Sequence, residues 1–242
     1  FRVAILTGAG RGFCAGADLS GTGEAWTDVK PSTPPFKVTY DAQVRLAVRP
    51  GDFLAPGDPL GERWGGGDGL EQAMRKAMVM GSRRTAAGDP EYLVHLLVET
   101  ALRALSPGIN DTYTAIACLD HLFGAFAQVL PQGLRAPLRC DAEGRPRVEL
   151  YPMRLADLIA AAFNPIRESA VDNLPVALRI LEVLDRMAPR AGEPDAREAI
   201  LLQAELTAAA AIQHAETGHD RHALTERLTA VRARIEAPRP AA

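Results

Sequence analysis

The sequence predicts a mainly α-helical protein of the α+β class, with about six helices in a bundle and a small β element. Of its 242 residues, 47% are hydrophobic and 24% are charged, a balance typical of globular domains. From residue 70 onward, apolar residues recur every three or four positions, which predicts amphipathic helices. Alternating apolar and polar residues, which predict strands, occur near residues 44–60 and 138–151.

The chain opens with a short apolar run that leads into glycines. Residues 3–10, Val-Ala-Ile-Leu-Thr-Gly-Ala-Gly, predict a buried strand and a tight turn, and residues 11–19 predict a loop that opens a helix. Such a loop directs free backbone N–H groups at one point, where an oxyanion or a phosphate can bind. Residues 20–38 are rich in Gly, Thr and Pro, which predicts a linker.

The run Arg-Gly-Phe-Cys-Ala-Gly-Ala-Asp-Leu at residues 11–19 resembles the oxyanion loop of the crotonase (enoyl-CoA hydratase/isomerase) superfamily. The resemblance implies that the N–H of Ala17, between Gly16 and Asp18, helps to hold the thioester oxygen of an acyl-CoA. The second oxyanion loop and the carboxylates of a crotonase are not found in the sequence. Because loss of one oxyanion donor costs about 10²–10³-fold in rate, we expect an inactive crotonase-like fragment.

Residues 44–64 predict a small β element. Apolar residues from Val44 to Val48 alternate with polar or small ones, which is typical of a strand. The turns Pro50-Gly51-Asp52 and Pro56-Gly57-Asp58 flank a short strand at Phe53-Leu54. A β-hairpin is predicted further along, where two apolar runs flank a polar, glycine-containing turn within residues 136–151.

Most of the remaining chain predicts helices. Asp89-Pro90-Glu91 begins one that runs to about Leu105, because Asp is a good N-cap, Pro suits the first turn and Glu suits the positive helix end. Ser106-Pro107-Gly108 ends this helix, and Asn110 or Asp111 caps the next. The other helical segments are predicted at residues 70–80 (a helix, or a helix followed by a strand), about 153–163, 165–188 (kinked or split by Pro175), 194–217 and 220–236.

These elements predict four segments along the chain. Residues 1–43 form the crotonase-like strand-loop-helix appendage with its Pro-rich linker, and residues 44–64 form the small β element. Residues 65–237 form a helical domain that includes the hairpin at residues 136–151. Residues 238–242 form a disordered tail.

A second resemblance covers residues 44–240. Val-Arg-Pro-Gly-Asp at residues 48–52 and Ala-Leu-Ser-Pro-Gly-Ile-Asn-Asp at residues 104–111 resemble the C-terminal domain of an uncharacterised bacterial family of predicted membrane proteins. The resemblance implies parent proteins anchored in the bacterial inner membrane by preceding helices. This sequence contains no apolar run of about 18 residues, so we expect a soluble and, by default, cytoplasmic chain. Two unrelated signatures that meet near residues 43–48 predict a chimera.

Seven polar residues near two helix boundaries form the candidate site. We expect a pocket for a small anion lined by Arg83, Arg84, Thr85, Asp89, Ser106, Asn110 and Asp111. The alternative is structural: Ser-Pro-Gly ends one helix, Asn or Asp caps the next, and an Arg–Asp pair fixes the loop. The residue types favour this structural interpretation.

The composition of the chain excludes several classes of function. A net charge of −3 and 5% aromatic residues argue against nucleic-acid binding. Three widely spaced cysteines predict neither a disulfide framework nor a zinc site, and we expect no metal and no cofactor. We therefore expect a non-enzymatic domain that acts in interaction or assembly, including a homo-oligomer through its helices, or in small-anion binding. The alternative is an acyl-CoA-binding fragment of the enoyl-CoA hydratase/isomerase type.

Overall fold

The chain divides into two compact units, each assembled from two separate stretches of sequence. The first comprises Phe1–Leu93 and Arg135–Met153, and the second comprises Val94–Leu134 and Arg154–Ala242. A computed structural model describes residues 2–6, 43–64, 68–81, 84–85, 89–134, 136–141 and 143–237. Over these residues the protein is mainly α-helical with a small β component, which confirms the predicted fold class.

The first unit contains two small sheets. The larger has the strand order β4-β2-β7-β6, where these strands are β2 (Gln43–Leu46), β4 (Gly61–Trp64), β6 (Leu138–Cys140) and β7 (Pro146–Glu149). The smaller has the order β3-β1-β5, where these strands are β1 (Arg2–Leu6), β3 (Phe53–Leu54) and β5 (Met78–Gly81). Strands β2 and β7 pair in parallel, and the other neighbours are antiparallel.

The alternation in the sequence decides which face of β2 is buried. Val44 and Leu46 are 6% and 5% exposed, while the residues between and before them face solvent. These two side chains pack with Val148 of β7 and with Leu70 of helix α1 (Asp68–Ala77). The predicted β element and the predicted hairpin therefore share one sheet and one small core.

The predicted N-terminal strand is present as β1, which pairs with both β3 and β5. The residues assigned to the crotonase-like loop, Gly16, Ala17 and Asp18, lie outside the described residues, as does Arg83 of the candidate pocket. Helix α1 runs directly into β5, as the helix-then-strand interpretation of residues 70–80 predicts.

The second unit is a helical bundle. Its helices are the part of α2 (Pro90–Ala104) from Val94 onward, α3 (Thr112–Val129), α4 (Leu155–Ser169), α5 (Leu174–Met187), α6 (Pro194–His214) and α7 (Gly218–Glu236). Helix α5 packs against α3, α6 and α7, and α6 packs against α4, α5 and α7. The rings of Phe126 and Phe163 stack at 6.2 Å between centroids and join α3 to α4.

One predicted helix boundary is wrong and another is confirmed. We expect a break between residues 163 and 165, but α4 continues through Pro165. The segment at residues 165–188 is split near Pro175, as one of its two alternatives predicts, because α5 begins at Leu174. The Asn173 side chain accepts the backbone N–H of Val176 at 3.3 Å, so it caps α5 and places Pro175 in the first turn, where an N–H is not needed. Pro165 costs α4 one hydrogen bond, which burial of the neighbouring Ile166 offsets.

Candidate functional site

The Asp89 carboxylate is buried at the start of α2, in the first unit. Only 2% of this residue is exposed. Its Oδ2 accepts a hydrogen bond from Arg84 Nε at 2.8 Å, and its Oδ1 accepts one from Arg84 Nη2 at 3.0 Å. The Oδ1 atom also accepts the backbone N–H of Tyr92 at 3.0 Å, so Asp89 caps α2. A bidentate arginine and a cap bond together hold this carboxylate in one position.

The turn at residues 49–52 packs directly on this ion pair. Gly51 has a φ of +93°, and any Cβ built on it would collide with Asp89 Oδ2. Next to it, Arg49 Nη2 lies 3.0 Å from Glu91 Oε2. Because these contacts join the turn to the first residues of α2, the Val-Arg-Pro-Gly-Asp motif and the Arg84–Asp89 pair form one cluster.

The contacts of this cluster do not favour a free anion. The Asp89 carboxylate already occupies the positive end of α2 and takes two donors of Arg84. The Arg84 guanidinium also lies over the Tyr92 ring, 5.7 Å from its centroid. Thr85 is exposed. A bound anion would compete with the Asp89 carboxylate for Arg84 and for the positive end of α2.

The loop between α2 and α3 belongs to the second unit and is fixed by its own backbone. The Ser106 carbonyl accepts the N–H groups of Ile109 and Asn110, both at 2.9 Å. The N–H of Asp111 donates to the Ala104 carbonyl at 2.7 Å. Asn110 has a φ of +47°, a left-handed conformation that Asn adopts more readily than most residues. The Ser-Pro-Gly-Ile-Asn-Asp motif therefore encodes one defined loop shape.

The Asp111 carboxylate caps α3. It accepts the Thr114 backbone N–H at 3.0 Å and the Thr114 hydroxyl at 2.5 Å. Both bonds lower the pKa of Asp111 below its ordinary value, and the bond from the Thr114 hydroxyl has the larger effect. Beside it, Asn173 Nδ2 donates to Thr112 Oγ1 at 2.9 Å while the same side chain caps α5. One amide thus joins the starts of α3 and α5.

The structure assigns the two halves of the predicted pocket to different units. Arg84, Thr85 and Asp89 belong to the first unit, whereas the loop from Ser106 to Asp111 belongs to the second. Within each unit the acidic residue is engaged as a helix cap. Across the described ranges, His, Cys, Asp and Glu side chains form no group suited to holding a metal ion.

Sequence reasoning missed an exposed apolar surface on α6. Although α6 packs against three helices, Leu202 is 52% exposed and Leu206 is 39% exposed. We define the α6 face as the exposed residues Glu198, Leu202, Leu206, Ala209 and Gln213. They recur at spacings of three and four, so they lie on one side of the helix. The available signal was the uninterrupted apolar run at residues 199–202. Four consecutive residues of a helix point to all sides of it, so such a run places at least one apolar side chain away from the core.

Residues 37–186 match the sequence profile of a family described as "Predicted membrane protein (DUF2254)". The chain belongs to DUF2254. The matched range includes the Arg84–Asp89 pair and the Ser106–Asp111 loop, so both clusters lie in the DUF2254 region of this chain. The crotonase-like residues around Ala17 precede the matched range. The matches found give no support to the crotonase resemblance or to the chimera, and both stay predictions.

Three uncharacterized proteins, one of Mycobacterium bovis and two of Mycobacterium tuberculosis strains, are each 28% identical to this DUF2254 chain over 168 residues. The aligned region covers 66% of this chain and 32% of each relative, so the chain spans about a third of the length of these curated relatives. No solved structure matches the chain. In the part of the chain that the structure describes, no helix is both long enough and apolar enough to cross a bilayer.

Proposed function

We propose that this DUF2254 chain is a non-enzymatic assembly domain, and that its α6 face binds the α6 face of a second copy. The observation that carries the proposal is the exposure of Leu202 and Leu206 on a helix whose other sides pack on α4, α5 and α7. Leu202 and Leu206 lie one turn apart and form one apolar patch, and exposed apolar patches mark many protein–protein interaction sites.

The α6 face complements itself when two copies run antiparallel. A two-fold axis near Leu206 brings that residue close to its own counterpart. The same axis sets Leu202 opposite Ala209 of the second copy, so a large side chain meets a small one. It also sets Glu198 opposite Gln213, and the amide can donate a hydrogen bond to the carboxylate. Each position of the face therefore meets a suitable residue type in a second copy.

The size of the α6 face predicts weak association of the isolated chain. A stable interface buries about 800 Å² on each partner, and one helix face with its neighbouring side chains offers less than that. Membrane anchoring, as in the predicted membrane proteins of this family, would raise the effective concentration of the two faces. We therefore expect the dimer to be more stable when the domain is held at a membrane than when the chain is isolated in solution.

The test is the mass of the chain in solution, measured by sedimentation equilibrium from about 10 µM to 1 mM. We expect a monomer–dimer equilibrium that Leu206→Glu and Leu202→Glu shift to monomer. Leu96→Glu is the matched control, because Leu96 is 41% exposed on α2 and lies outside the α6 face. A monomer at every concentration, or a dimer that persists when both α6 leucines are replaced, would contradict the proposal.

Two further expectations from the sequence have their own tests. If the segment around Ala17 binds acyl-CoA, a CoA thioester should raise the melting temperature of the chain. Dimerisation through the α6 face does not require this increase. Anion binding at the Arg84 cluster is less favoured, because Asp89 already takes two of the arginine's donors. Resequencing the locus tests the chimera: an unbroken native reading frame across residues 43–48 would contradict it.

A further inference from the structure

Two arginines at the end of α5 lie over one aromatic ring. The guanidinium carbon of Arg186 is 3.9 Å from the centroid of the Phe123 ring, and that of Arg190 is 5.3 Å from the same centroid. The 3-10 turn Ala188–Arg190 continues α5, so two residues four apart along this path lie side by side. Phe123 is only 9% exposed, and it therefore provides a fixed surface under both charges.

Among the described residues, neither arginine has a carboxylate within ion-pair distance. Glu182, one turn before Arg186, is bound by Arg179 Nη1 at 2.8 Å. Asp185 is 3.4 Å from Arg234 Nε. The two acidic side chains in the last two turns of α5 are thus paired elsewhere, while both arginines are exposed to solvent.

Within the described part of the chain, only one hydrogen bond of the two guanidinium groups stabilises the helix end. Arg190 Nη1 donates to the Arg186 carbonyl, which satisfies one of the free carbonyl groups at the end of the helix. This bond and the ring hold the two guanidinium groups near each other although like charges repel. Each group keeps unused N–H donors in a planar fork, the geometry that binds phosphate oxygens in pairs.

We propose that Arg186 and Arg190 bind a phosphate group, with Phe123 holding the two guanidinium groups in position. The phosphate relieves the repulsion between the two charges and accepts hydrogen bonds from both. A phospholipid headgroup and a free phosphate share this chemistry. The site has no residue in common with the α6 face, so its test is independent of dimerisation.

The test uses the whole chain with two probes: inorganic phosphate, followed by calorimetry, and vesicles of phosphatidylcholine with or without phosphatidylglycerol, followed by cosedimentation. We expect binding of at least one phosphate-bearing probe. Arg186→Gln and Arg190→Gln should each weaken it about tenfold, the loss expected for one charge-assisted pair. Arg227→Gln is the matched control, because it removes the same charge from an exposed position of α7.

The two probes separate the sources of the phosphate. Binding of inorganic phosphate without binding of phosphatidylglycerol vesicles assigns the site to a free phosphate, and the reverse assigns it to a lipid headgroup. Arg186→Lys keeps the charge but loses the planar fork, so its affinity should fall between those of the wild type and Arg186→Gln. No binding of either probe, or an equal loss in Arg227→Gln, overturns the proposal. Circular dichroism of each variant checks that the helix content of the chain is unchanged.

Discussion

Gly51 lies against Asp89 so closely that no side chain fits between them. A Cβ at residue 51 would overlap the Asp89 carboxylate and would lie 2.8 Å from Arg84 Nε. The backbone of Gly51 also has a φ of +93°, which favours glycine. The glycine is thus required twice, by its conformation and by the ion pair that it covers.

Gly51→Ala should therefore destabilise the first unit more than an ordinary glycine substitution. We expect a loss of about 1–3 kcal/mol from backbone strain, increased by the displacement of Asp89 and Arg84. Gly57→Ala is the matched control: Gly57 has a φ of +98°, but no atom lies within 4 Å of its added Cβ. Urea unfolding followed by Trp64 fluorescence, in a Trp26→Phe background, measures both. Equal losses in the two variants would contradict the close approach at Gly51.

Asp89→Ala should cost about 2–4 kcal/mol of the free energy of unfolding, because it removes the helix cap and the charged hydrogen bonds to the partly exposed Arg84. Asp89→Asn keeps an acceptor for the Tyr92 N–H and should cost less. Asp58→Ala removes a carboxylate that accepts one bond in an exposed turn, so we expect a loss within about 1 kcal/mol. If the two alanine variants are equally stable, the Arg84–Asp89 pair does not stabilise the first unit.

The stability of the β6–β7 hairpin should depend on pH through Asp141. Partial burial raises the pKa of its carboxyl, but the backbone N–H of Arg145, the Arg147 side chain and the charges of both arginines outweigh burial and lower the pKa to about 2. The Arg147 Nε atom is 2.8 Å from Asp141 Oδ2. The ordinary pKa of Asp in an unfolded chain is about 3.9.

Because the folded pKa is depressed, the ionised carboxylate stabilises the folded hairpin above pH ~4, and this contribution is lost as the pH falls toward ~2. Asp141→Asn should therefore be less stable than the wild type at neutral pH, and the difference should shrink over that window. Trp64 lies in the same sheet as the hairpin, so its fluorescence in the Trp26→Phe background reports this unfolding. A difference that stays constant from pH 5 to pH ~2 would contradict this role for Asp141.

The antiparallel arrangement proposed for α6 predicts a charge effect. Gln213→Glu should weaken the dimer several-fold, because each copy then sets a second carboxylate opposite Glu198. The double variant Glu198→Gln with Gln213→Glu should regain the affinity, because it only exchanges the two roles. In a parallel pair, Glu198 would face its own counterpart, and Glu198→Gln alone would strengthen association. Sedimentation equilibrium distinguishes the two arrangements.

The periodicity of the sequence predicted the helices well because α2, α3 and α7 carry local signals. Pro90 and Asp111 mark helix starts through their own chemistry, and the structure has helices at these points. The predicted break near Pro165 was wrong. A proline in the sequence shows only that the helix loses a hydrogen bond at that position, whereas the burial of Ile166 depends on helices that are distant in the sequence. The exposed α6 face was missed for the same reason: spacing shows which residues share a side, but not which neighbour covers it.

The close approach of Gly51 to Asp89 was equally invisible in the sequence. The turn at residues 50–52 and the cap at Asp89 were each predicted, but 37 residues separate Gly51 from Asp89 and no local pattern joins them. Only the tertiary contact shows that both motifs build one cluster. The parallel pairing of β2 with β7 escaped prediction in the same way.

That parallel pairing has a consequence during synthesis. Arg45 Nε and Glu149 Oε2, which are 2.6 Å apart across β2 and β7, belong to residues 104 positions apart in the chain. At about 5–20 residues per second, the ribosome takes roughly 5–20 s to supply β7 after β2 has emerged. During that interval the hydrogen-bonding edge of β2 that will receive β7 is open to other strands. The nascent chain can therefore pair with other chains through β2 after β2 and β4 have left the ribosome and before Val148 arrives.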